Sequence, residues 1–332
     1  MKIAINGFGR IGRSVFRILS NRNDIDVVAI NDLFDDEVLA YLLKYDSIMA
    51  NFNQDIHIED DMLITPNERV KMLSIKNPEE LPWKELGVDV VVEATGIFRT
   101  REKLMPHLKA GAKRVVLTVP AKDAIDYTIV IGVNDEGLKP EHKIISNASC
   151  TTNCLAPMAK ILNDNFGIVE GLMTTTHAYT NDHRLADVPH KDWRSGRAAA
   201  ENIIPTTTGA AKAVGQVIPS LKGKLDGMAS RVPVPDGSVV DLVVEVEKNV
   251  SVEDVHDVVR TAANSEAMKH VLMYSEDKLV SSDIVGNSYS SIYDSEFTHV
   301  LGGKYVKTLN WYDNEWGYSN RVVDLIVRLM DF

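Results

Sequence analysis

Cysteine is nearly absent from this chain, which has only Cys150 and Cys154 among its 332 residues. Two cysteines cannot build a disulfide framework, and too few cysteines or histidines stand nearby to complete a zinc site. The sequence also lacks an apolar run of the roughly 18 residues that a membrane-spanning helix needs. Its first residues, MKIAINGFGRIG, lack the apolar segment of a signal peptide. We therefore expect a cytoplasmic protein without a membrane segment or a metal site.

Positive charge is also scarce in the sequence. The chain has 36 lysines and arginines against 47 aspartates and glutamates, which gives a formal net charge of −11. This balance argues against nucleic acid as the main partner, and an anionic ligand must be held by local groups against the overall field. Low-complexity segments and repeats of fixed period are absent, while the length favours two domains.

The pattern of apolar residues changes near residue 150. Before that point, short apolar runs typical of strands alternate with helical ones, and a hairpin is predicted within 51–75. The predicted strands are 2–5, 26–31, 88–95, 114–119, 127–133 and 143–146, and the predicted helices are 10–21, 35–46 and 101–112. Continuous apolar strands that alternate with helices are typical of a parallel sheet covered on both faces.

Beyond residue 150, long β-rich runs at 167–180, 225–247 and 304–314 are separated by single helices. This arrangement predicts an α+β fold with a mostly antiparallel sheet. The stretch 316–330 has its apolar residues on one face and predicts an amphipathic helix.

A glycine pattern stands directly after the first predicted strand, at the start of the first predicted helix. In INGFGRIG, the glycines Gly7, Gly9 and Gly12 are spaced as G-x-G-x-x-G. Glycines at these positions let the backbone approach a pyrophosphate, which the helix N-terminus then binds. Asp32 follows the next strand, where a carboxylate accepts hydrogen bonds from ribose hydroxyls and repels a 2′-phosphate. The pattern predicts a site for NAD rather than NADP; the alternative is a glycine-rich turn with Asp32 as a helix cap.

The stretch SNASCTTNC contains both cysteines and begins another predicted helix. Cys150 falls in its first turn, where the helix N-terminus favours a thiolate, and a partly exposed thiolate is a strong nucleophile. The hydroxyls of Ser149 and Thr151 offer hydrogen bonds to an oxyanion or a phosphate. Cys154 lies one turn further on and is predicted to be buried and inert. The pattern indicates Cys150 as a catalytic nucleophile, with a purely structural cysteine as the alternative.

A nucleophilic thiol needs a nearby base, and His177 is the candidate. It ends the strand-like run GLMTTTH, which follows the cysteine helix after a short turn. We therefore expect the two side chains to be neighbours, the alternative being a histidine that only hydrogen-bonds the backbone. His183 and His190, in the loop beyond, are predicted to lie at the surface.

Several stretches together resemble one family over the whole chain, in order and at the expected separations. They are NGFGRIGR, SNASCTTNCLAP, HAYTNDH, NIIPTTTGAAKAVG, RVPVPDGSVVDL and WYDNEWGYSNRV. The chain resembles the phosphorylating glyceraldehyde-3-phosphate dehydrogenases, and the cysteine stretch is the most specific part of the match. The resemblance implies that Cys150 forms a thiohemiacetal and then a thioester, that His177 accepts the proton, and that inorganic phosphate releases 1,3-bisphosphoglycerate.

The resemblance also implies the remaining site residues. It implies NAD contacts from Gly7, Gly9, Arg10, Ile11, Gly12, Asp32, Lys76, Thr95, Gly96 and Thr118, with Asn314 at the nicotinamide carboxamide and Tyr318 near the ring. It implies Thr180 and Arg231 at the substrate's C3 phosphate, and Ser149, Thr151, Thr208 and Gly209 at the attacking phosphate. The loop 178–202 contacts a neighbouring subunit in this family, which implies a homotetramer.

The predicted fold class is therefore α/β. We expect a Rossmann-type doubly wound parallel sheet in an NAD-binding domain, residues 1–149, that the C-terminal helix 315–332 joins. A catalytic domain of α+β type with a mostly antiparallel sheet is expected over residues 150–314.

Two other functions remain open at this level. An erythrose-4-phosphate dehydrogenase would use the same thiol chemistry but release the acid with water. A non-catalytic NAD-binding scaffold would keep the fold without the reaction. The direction of flux, the degree of NADP use and the roles of Arg194 and Arg197 do not follow from the sequence.

Overall fold

The computed structural model describes all residues from Met1 to Phe332. They form two compact units, the first consisting of Met1–Ile129, Glu136–Ala148 and Ser319–Phe332, and the second of Val130–Asp135 and Ser149–Tyr318. The helices are α1 (Arg10–Leu19), α2 (Asp36–Lys44), α3 (Trp83–Leu86), α4 (Arg101–Lys109), α5 (Cys150–Phe166), α6 (Ala210–Val217), α7 (Val252–Ala263) and α8 (Trp316–Arg328). None of them is both long and apolar enough to cross a membrane.

The strands of the first unit form one sheet. They are β1 (Lys2–Asn6), β2 (Asp26–Asn31), β3 (His57–Glu59), β4 (Met62–Ile64), β5 (Arg69–Leu73), β6 (Val90–Glu93), β7 (Arg114–Leu117), β8 (Tyr127–Thr128) and β9 (Ile144–Ser146). Their order is β3-β4-β5-β2-β1-β6-β7-β9-β8, and only the pairs β3–β4 and β4–β5 are antiparallel. The parallel sheet and the hairpin excursion predicted from the sequence are both confirmed.

The centre of this sheet explains its apolar strands. Ile3, Ile5, Val90 and Val92 have no exposed surface, because the strands are covered on both faces. β1 lies between β2 and β6, so the strand order reverses there: the sheet grows from β1 to one side through β2 and to the other side through β6. The carboxyl ends of β1, β2, β6 and β7 meet at the same edge, which is where ligands bind in open α/β sheets.

The second unit contains the strands β10 (Ile168–Ala178), β11 (Ile204–Thr207), β12 (Leu225–Val232), β13 (Ser238–Val246), β14 (Leu272–Ser275), β15 (Ser291–Leu301) and β16 (Tyr305–Tyr312). Their order is β11-β12-β10-β13-β16-β15-β14, with parallel pairing only at β10–β12 and β14–β15. The prediction of a mostly antiparallel second sheet is confirmed. Helix α5 packs against β13, β15 and β16 and carries its first residue to the site described below.

The prediction of a strand over 127–133 is wrong beyond Thr128. The backbone N–H of Val130 donates to the side-chain oxygen of Asn134 at 2.8 Å, so this N–H is not available for a hydrogen bond to a neighbouring strand. Gly132 has φ +83, a left-handed value that bends the chain into a turn. Strand β8 is therefore limited to two residues.

Candidate active site

Cys150 is the first residue of α5, and the residues before it fix its position. Ser149 caps the helix in an extended conformation, and its Oγ accepts a 3.0 Å hydrogen bond from the N–H of Thr152. Ala148 is buried and has φ +54, a conformation that residues other than glycine adopt at a cost of roughly 1–3 kcal/mol. The sharp turn into a capped helix places the Cys150 sulfur at the positive end of the helix dipole. Cys154, one turn later, is fully buried, as predicted.

His177 lies at the carboxyl end of β10, beside this helix terminus. Its Nε2 is 3.5 Å from the Cys150 sulfur, so the two side chains that we expected to be neighbours are in direct contact. The imidazole is buried and packs edge-on against Tyr312, with ring centroids 5.8 Å apart. This packing holds the ring plane in one orientation.

The other ring nitrogen of His177 has two partners. Nδ1 is 2.7 Å from the carbonyl oxygen of Ala178 and 2.6 Å from Nη1 of Arg231. The same Nη1 donates to the Ala178 carbonyl at 3.0 Å. Strand register creates this cluster, because His177 on β10 pairs directly with Arg231 on the parallel strand β12.

The electrostatic environment of the site favours a neutral thiol and a neutral imidazole. Desolvation raises the pKa of Cys150, although part of the residue stays exposed, and the charge of Arg231 and a hydrogen bond from Thr151 only partly oppose it. Burial and the same arginine lower the pKa of His177 to about 3. The expected effect of the helix N-terminus, which favours a thiolate, is outweighed here, because the desolvation of the sulfur raises the pKa of Cys150 more than the favourable groups lower it.

Thr180 and its neighbours form a polar cluster next to Arg231. The hydroxyl of Thr180 donates a hydrogen bond to Asp182, and its oxygen is 3.3 Å from Nδ1 of His183. The prediction that His183 lies at the surface is wrong, since it is 9% exposed. Its N–H bonds the Thr180 carbonyl at 2.9 Å, which folds the loop back on the strand end.

The residues predicted to bind the attacking phosphate lie at two helix starts. The hydroxyl of Thr151 is buried and 2.9 Å from the hydroxyl of Tyr312, so it is already engaged. Thr208 Oγ accepts a hydrogen bond from the N–H of Ala210 at 3.2 Å, and a Cβ placed on Gly209 would meet no atom within 4 Å. This open approach to the start of α6, a helix that packs on α5, suits an anion.

The glycine turn of the first unit has the geometry that a pyrophosphate requires. Gly7 has φ +95, and a Cβ there would come within 2.6 Å of the Thr95 nitrogen. A Cβ on Gly12 would meet the Gly7 carbonyl oxygen at 2.2 Å, whereas the space next to Gly9 is open. Helix α1 begins after Gly9 without a side-chain cap, which leaves its N-terminus available to an anion.

The other predicted cofactor residues of this unit follow the carboxyl ends of its parallel strands. They are Asp32 after β2, Lys76 after β5, Thr95 and Gly96 after β6, and Thr118 after β7. Asp32 accepts hydrogen bonds from the N–H groups of Phe8 at 2.7 Å and Phe34 at 3.2 Å. Arg10 lies at the start of α1 and pairs with Asp46 at 3.0 Å, and Ile11 beside it is half-buried.

Asn314 and Tyr318, the predicted nicotinamide residues, belong to the second unit and are buried. The Asn314 side-chain oxygen accepts a 2.6 Å hydrogen bond from Ser238. The Ser238 hydroxyl in turn accepts the N–H of Ala178 at 3.1 Å. A short chain of hydrogen bonds therefore joins Asn314 to the residue after His177.

Sequence reasoning missed three groups that shape these sites. Tyr312 bridges the hydroxyls of Thr151 and Thr175, each at 2.9 Å. Asp236 and Asp313 form a buried pair, in which burial and the second carboxylate raise the pKa of Asp236 to about 9. Alternation along KYVKTLNWY could have predicted that Tyr312 is buried, but no local pattern predicts the aspartate pair.

Buried Glu93 is the third of these groups. Its carboxylate accepts hydrogen bonds from Asn6 and Thr95, which flank the glycine turn and the loop after β6, and it also contacts His107. A glutamate within the apolar run VVVEAT gives no local sign of these partners.

Comparison with known proteins gives matches over nearly the whole chain. Residues 1–101 match the family model for the glyceraldehyde 3-phosphate dehydrogenase NAD binding domain, and residues 149–314 match the model for its C-terminal domain. The chain is 55% identical to the glyceraldehyde-3-phosphate dehydrogenase of Streptomyces coelicolor over 98% of each sequence. It is 56% identical to that of Geobacillus stearothermophilus, over 98% of this chain and 97% of the relative.

Proposed function

The chain belongs to the glyceraldehyde-3-phosphate dehydrogenase family, and on that premise we propose that Cys150 and His177 carry its reaction. The protein is an NAD-dependent oxidoreductase that oxidises glyceraldehyde 3-phosphate, a reversible reaction of glycolysis. The contact of 3.5 Å between the Cys150 sulfur and the His177 Nε2 is the observation that supports the assignment. A nucleophile in contact with a base that a third group orients is the arrangement that covalent catalysis requires.

The first step adds Cys150 to the aldehyde. The thiol passes its proton towards His177 Nε2, the sulfur bonds to the aldehyde carbon, and the resulting oxyanion takes the proton back. The product is a thiohemiacetal with a hydroxyl near the imidazole. His177 then accepts the hydroxyl proton as the carbon is oxidised to a thioester. NAD, when bound, supplies the hydride acceptor at its nicotinamide C4.

The second half of the reaction releases the acyl group. Inorganic phosphate attacks the thioester carbon, the carbon–sulfur bond breaks with the Cys150 sulfur as the leaving thiolate, the proton on His177 Nε2 returns to that sulfur, and 1,3-bisphosphoglycerate leaves. We assign the attacking phosphate to the hydroxyls of Ser149, Thr151 and Thr208 and to Gly209, because the open start of α6 can accept an anion. Thr180 and Arg231 are assigned to the C3 phosphate of the substrate, for which a guanidinium and a hydroxyl are suitable donors.

The glycine turn and the strand ends of the first unit are proposed to hold NAD. Gly7, Gly9 and Gly12 give the pyrophosphate close access to the start of α1. Asp32 would bind the ribose hydroxyls, and its negative charge disfavours a 2′-phosphate. The remaining assignments are Arg10 and Ile11 at the pyrophosphate, Lys76, Thr95, Gly96 and Thr118 on the adenosine side, and Asn314 and Tyr318 at the nicotinamide.

The test is NADH formation from glyceraldehyde 3-phosphate with and without inorganic phosphate. We expect turnover that depends on phosphate, and no dehydrogenase activity but intact NAD binding in Cys150→Ser. Cys154→Ser is the matched control and should keep the activity, because that thiol is buried away from the imidazole. Activity in Cys150→Ser would refute the assignment. Faster oxidation of erythrose 4-phosphate without phosphate would favour the alternative dehydrogenase, and inactivity of the unmodified protein would favour a scaffold.

We also propose that the protein assembles as a homotetramer in the cytoplasm. The loop 178–202 exposes three apolar side chains, Leu185 at 87%, Val188 at 47% and Trp193 at 88%, and apolar side chains exposed within one loop favour a partner surface there. Both cysteines are free, which suits a reducing compartment. Sedimentation equilibrium tests the assembly, and a monomer at micromolar concentration would exclude it.

A further inference from the structure

Two groups compete for one nitrogen of His177. Its Nδ1 lies 2.7 Å from the Ala178 carbonyl oxygen, which can only accept a hydrogen bond, and 2.6 Å from Arg231 Nη1, which can only donate one. A protonated Nδ1 satisfies the carbonyl but opposes the N–H of the arginine. An unprotonated Nδ1 satisfies the arginine but opposes the carbonyl oxygen. One of the two contacts is therefore unfavourable in either tautomer.

The two tautomers differ in what they offer to Cys150. If Nδ1 accepts from Arg231, the proton of the neutral ring is on Nε2, which faces the sulfur and cannot then accept another proton. If Nδ1 donates to Ala178, Nε2 has a free lone pair and can act as the base. The position of Arg231 thus determines whether His177 can perform its step.

Arg231 has a reason to move when an anion arrives. Its Nε is buried and has no hydrogen-bond partner, so the guanidinium has an unsatisfied donor. The hydroxyl of Thr180, the second residue assigned to the C3 phosphate, lies in the loop that follows the strand of His177. A phosphate bound there offers several acceptor oxygens to the guanidinium, which binds phosphate better than it binds one imidazole nitrogen.

We infer that the C3 phosphate of the substrate switches His177 into its catalytic tautomer by drawing Arg231 away from Nδ1. Before binding, Arg231 donates to Nδ1 and the proton is on Nε2. After binding, Arg231 donates to the phosphate, Nδ1–H donates to the Ala178 carbonyl, and Nε2 is free to accept the thiohemiacetal proton. Arg231 is then a positioning residue as well as an anchor. This inference rests on the proposed assignment of the phosphate to Arg231 and Thr180.

The surrounding charges are consistent with this role. Burial lowers the pKa of the His177 imidazole most and the positive charge of Arg231 lowers it further, while Asp182 raises it and His183 lowers it. A phosphate dianion on Arg231 would offset the positive charge next to the ring. Burial raises the pKa of Cys150 and the charge of Arg231 partly opposes this rise, so the removal of Arg231 changes the thiolate fraction and must be controlled for.

The experiment separates the phosphate from the aldehyde. D-Glyceraldehyde, which has no phosphate, is oxidised by the NAD-loaded enzyme, and the first-turnover rate of NADH formation is measured with and without inorganic phosphite. We expect phosphite to raise this rate about tenfold in the unmodified protein, the size expected for one mismatched buried hydrogen bond. Arg231→Met should reach the higher rate without phosphite and gain nothing from it, while its KM for glyceraldehyde 3-phosphate rises.

Two controls accompany the kinetics. Arg260→Ala removes an arginine of the same unit whose guanidinium lies over Tyr274, away from the cluster, and should behave as the unmodified protein. The rate of Cys150 alkylation in each variant corrects the first-turnover rates for a change in thiolate fraction. If Arg231→Met does not fold, the phosphite response of the unmodified protein and the spectroscopy described next decide the question.

The tautomer can also be observed directly. In cofactor-free protein with nitrogen-15 in its histidine rings, phosphite should move the proton of His177 from Nε2 to Nδ1, with His177→Asn used for assignment. No change of tautomer, no acceleration by phosphite, or a corrected rate in Arg231→Met below that of the unmodified protein would each overturn the inference. Any of these results with normal turnover of glyceraldehyde 3-phosphate leaves the proposed function intact, whereas activity in Cys150→Ser would overturn the function itself.

Discussion

Replacing Glu93 by glutamine should weaken NAD binding, although Glu93 is not itself one of the predicted NAD contacts. The Glu93 carboxylate is fully buried at the end of β6 and accepts hydrogen bonds from Asn6 Nδ2 at 2.6 Å and His107 Nε2 at 3.0 Å. Its other oxygen accepts the N–H of Thr95 at 2.9 Å and the Thr95 hydroxyl. Asn6 and Thr95 directly precede Gly7 and Gly96, so one carboxylate supports two predicted NAD-binding loops.

The neighbouring histidine cannot adapt to the substitution. The indole N–H of Trp83 donates to Nδ1 of His107 at 3.1 Å, and an indole nitrogen can only donate, so the proton of the neutral imidazole is on Nε2. An amide nitrogen at position 93 therefore cannot face His107. It must face the N–H of Thr95, which loses its acceptor.

The expected loss of stability in Glu93→Gln follows from the number of hydrogen bonds that the carboxylate accepts. One buried N–H without an acceptor costs about 1–3 kcal/mol, and the remaining bonds lose roughly 1 kcal/mol each when their acceptor loses its charge. The removal of a buried charge offsets part of this loss, because its desolvation penalty disappears. We expect a net destabilisation of about 2 kcal/mol, and about tenfold weaker NAD binding because the Thr95 turn is no longer held.

Urea unfolding and calorimetric NAD titration measure the two effects. Glu79→Gln is the matched control, since Glu79 is exposed and contacts Lys109 at 3.5 Å; it should change stability by less than about 0.5 kcal/mol. Equal stabilities and equal NAD affinities for the two variants would show that the Glu93 hydrogen bonds do not support these loops.

Two further predictions concern other carboxylates. Asp32→Ala should raise the preference for NADP relative to NAD, and an unchanged ratio of the two kcat/KM values would remove Asp32 from the cofactor site. The pKa of Asp236 is raised to about 9 by burial and by Asp313, with Glu315 also contributing. Its folded-state pKa is above the unfolded one, so its stabilising effect is complete below about pH 4 and is lost as the pH rises towards 9, by up to roughly 1.4 kcal/mol per pH unit. Asp236→Asn keeps the hydrogen bond from the N–H of Gly237 and should be less sensitive to pH across this window; parallel unfolding curves for the two proteins between about pH 5 and 8 would contradict this.

The sequence by itself determined the local features of the fold. Continuous apolar runs predicted the buried parallel strands, and the spacing of Gly7, Gly9 and Gly12 predicted a turn that the close contacts at two of these glycines require. The stretch that contains both cysteines predicted a helix with Cys150 in its first turn, and the structure has a capped helix there. These features depend on residues within a few positions of one another, so a local pattern is enough to specify them.

Only the tertiary structure decided which distant side chains meet and what charge they carry. The contact between His177 and Arg231 depends on the register of β10 and β12, which are separated by a loop, a strand and a helix. Glu93 has partners from two other segments of the first unit, Asn6 at the end of β1 and His107 in α4. The protonation of Cys150 depends on how far folding removes water from its sulfur, and no spacing along the chain encodes that quantity because desolvation is a property of the packed volume around the atom.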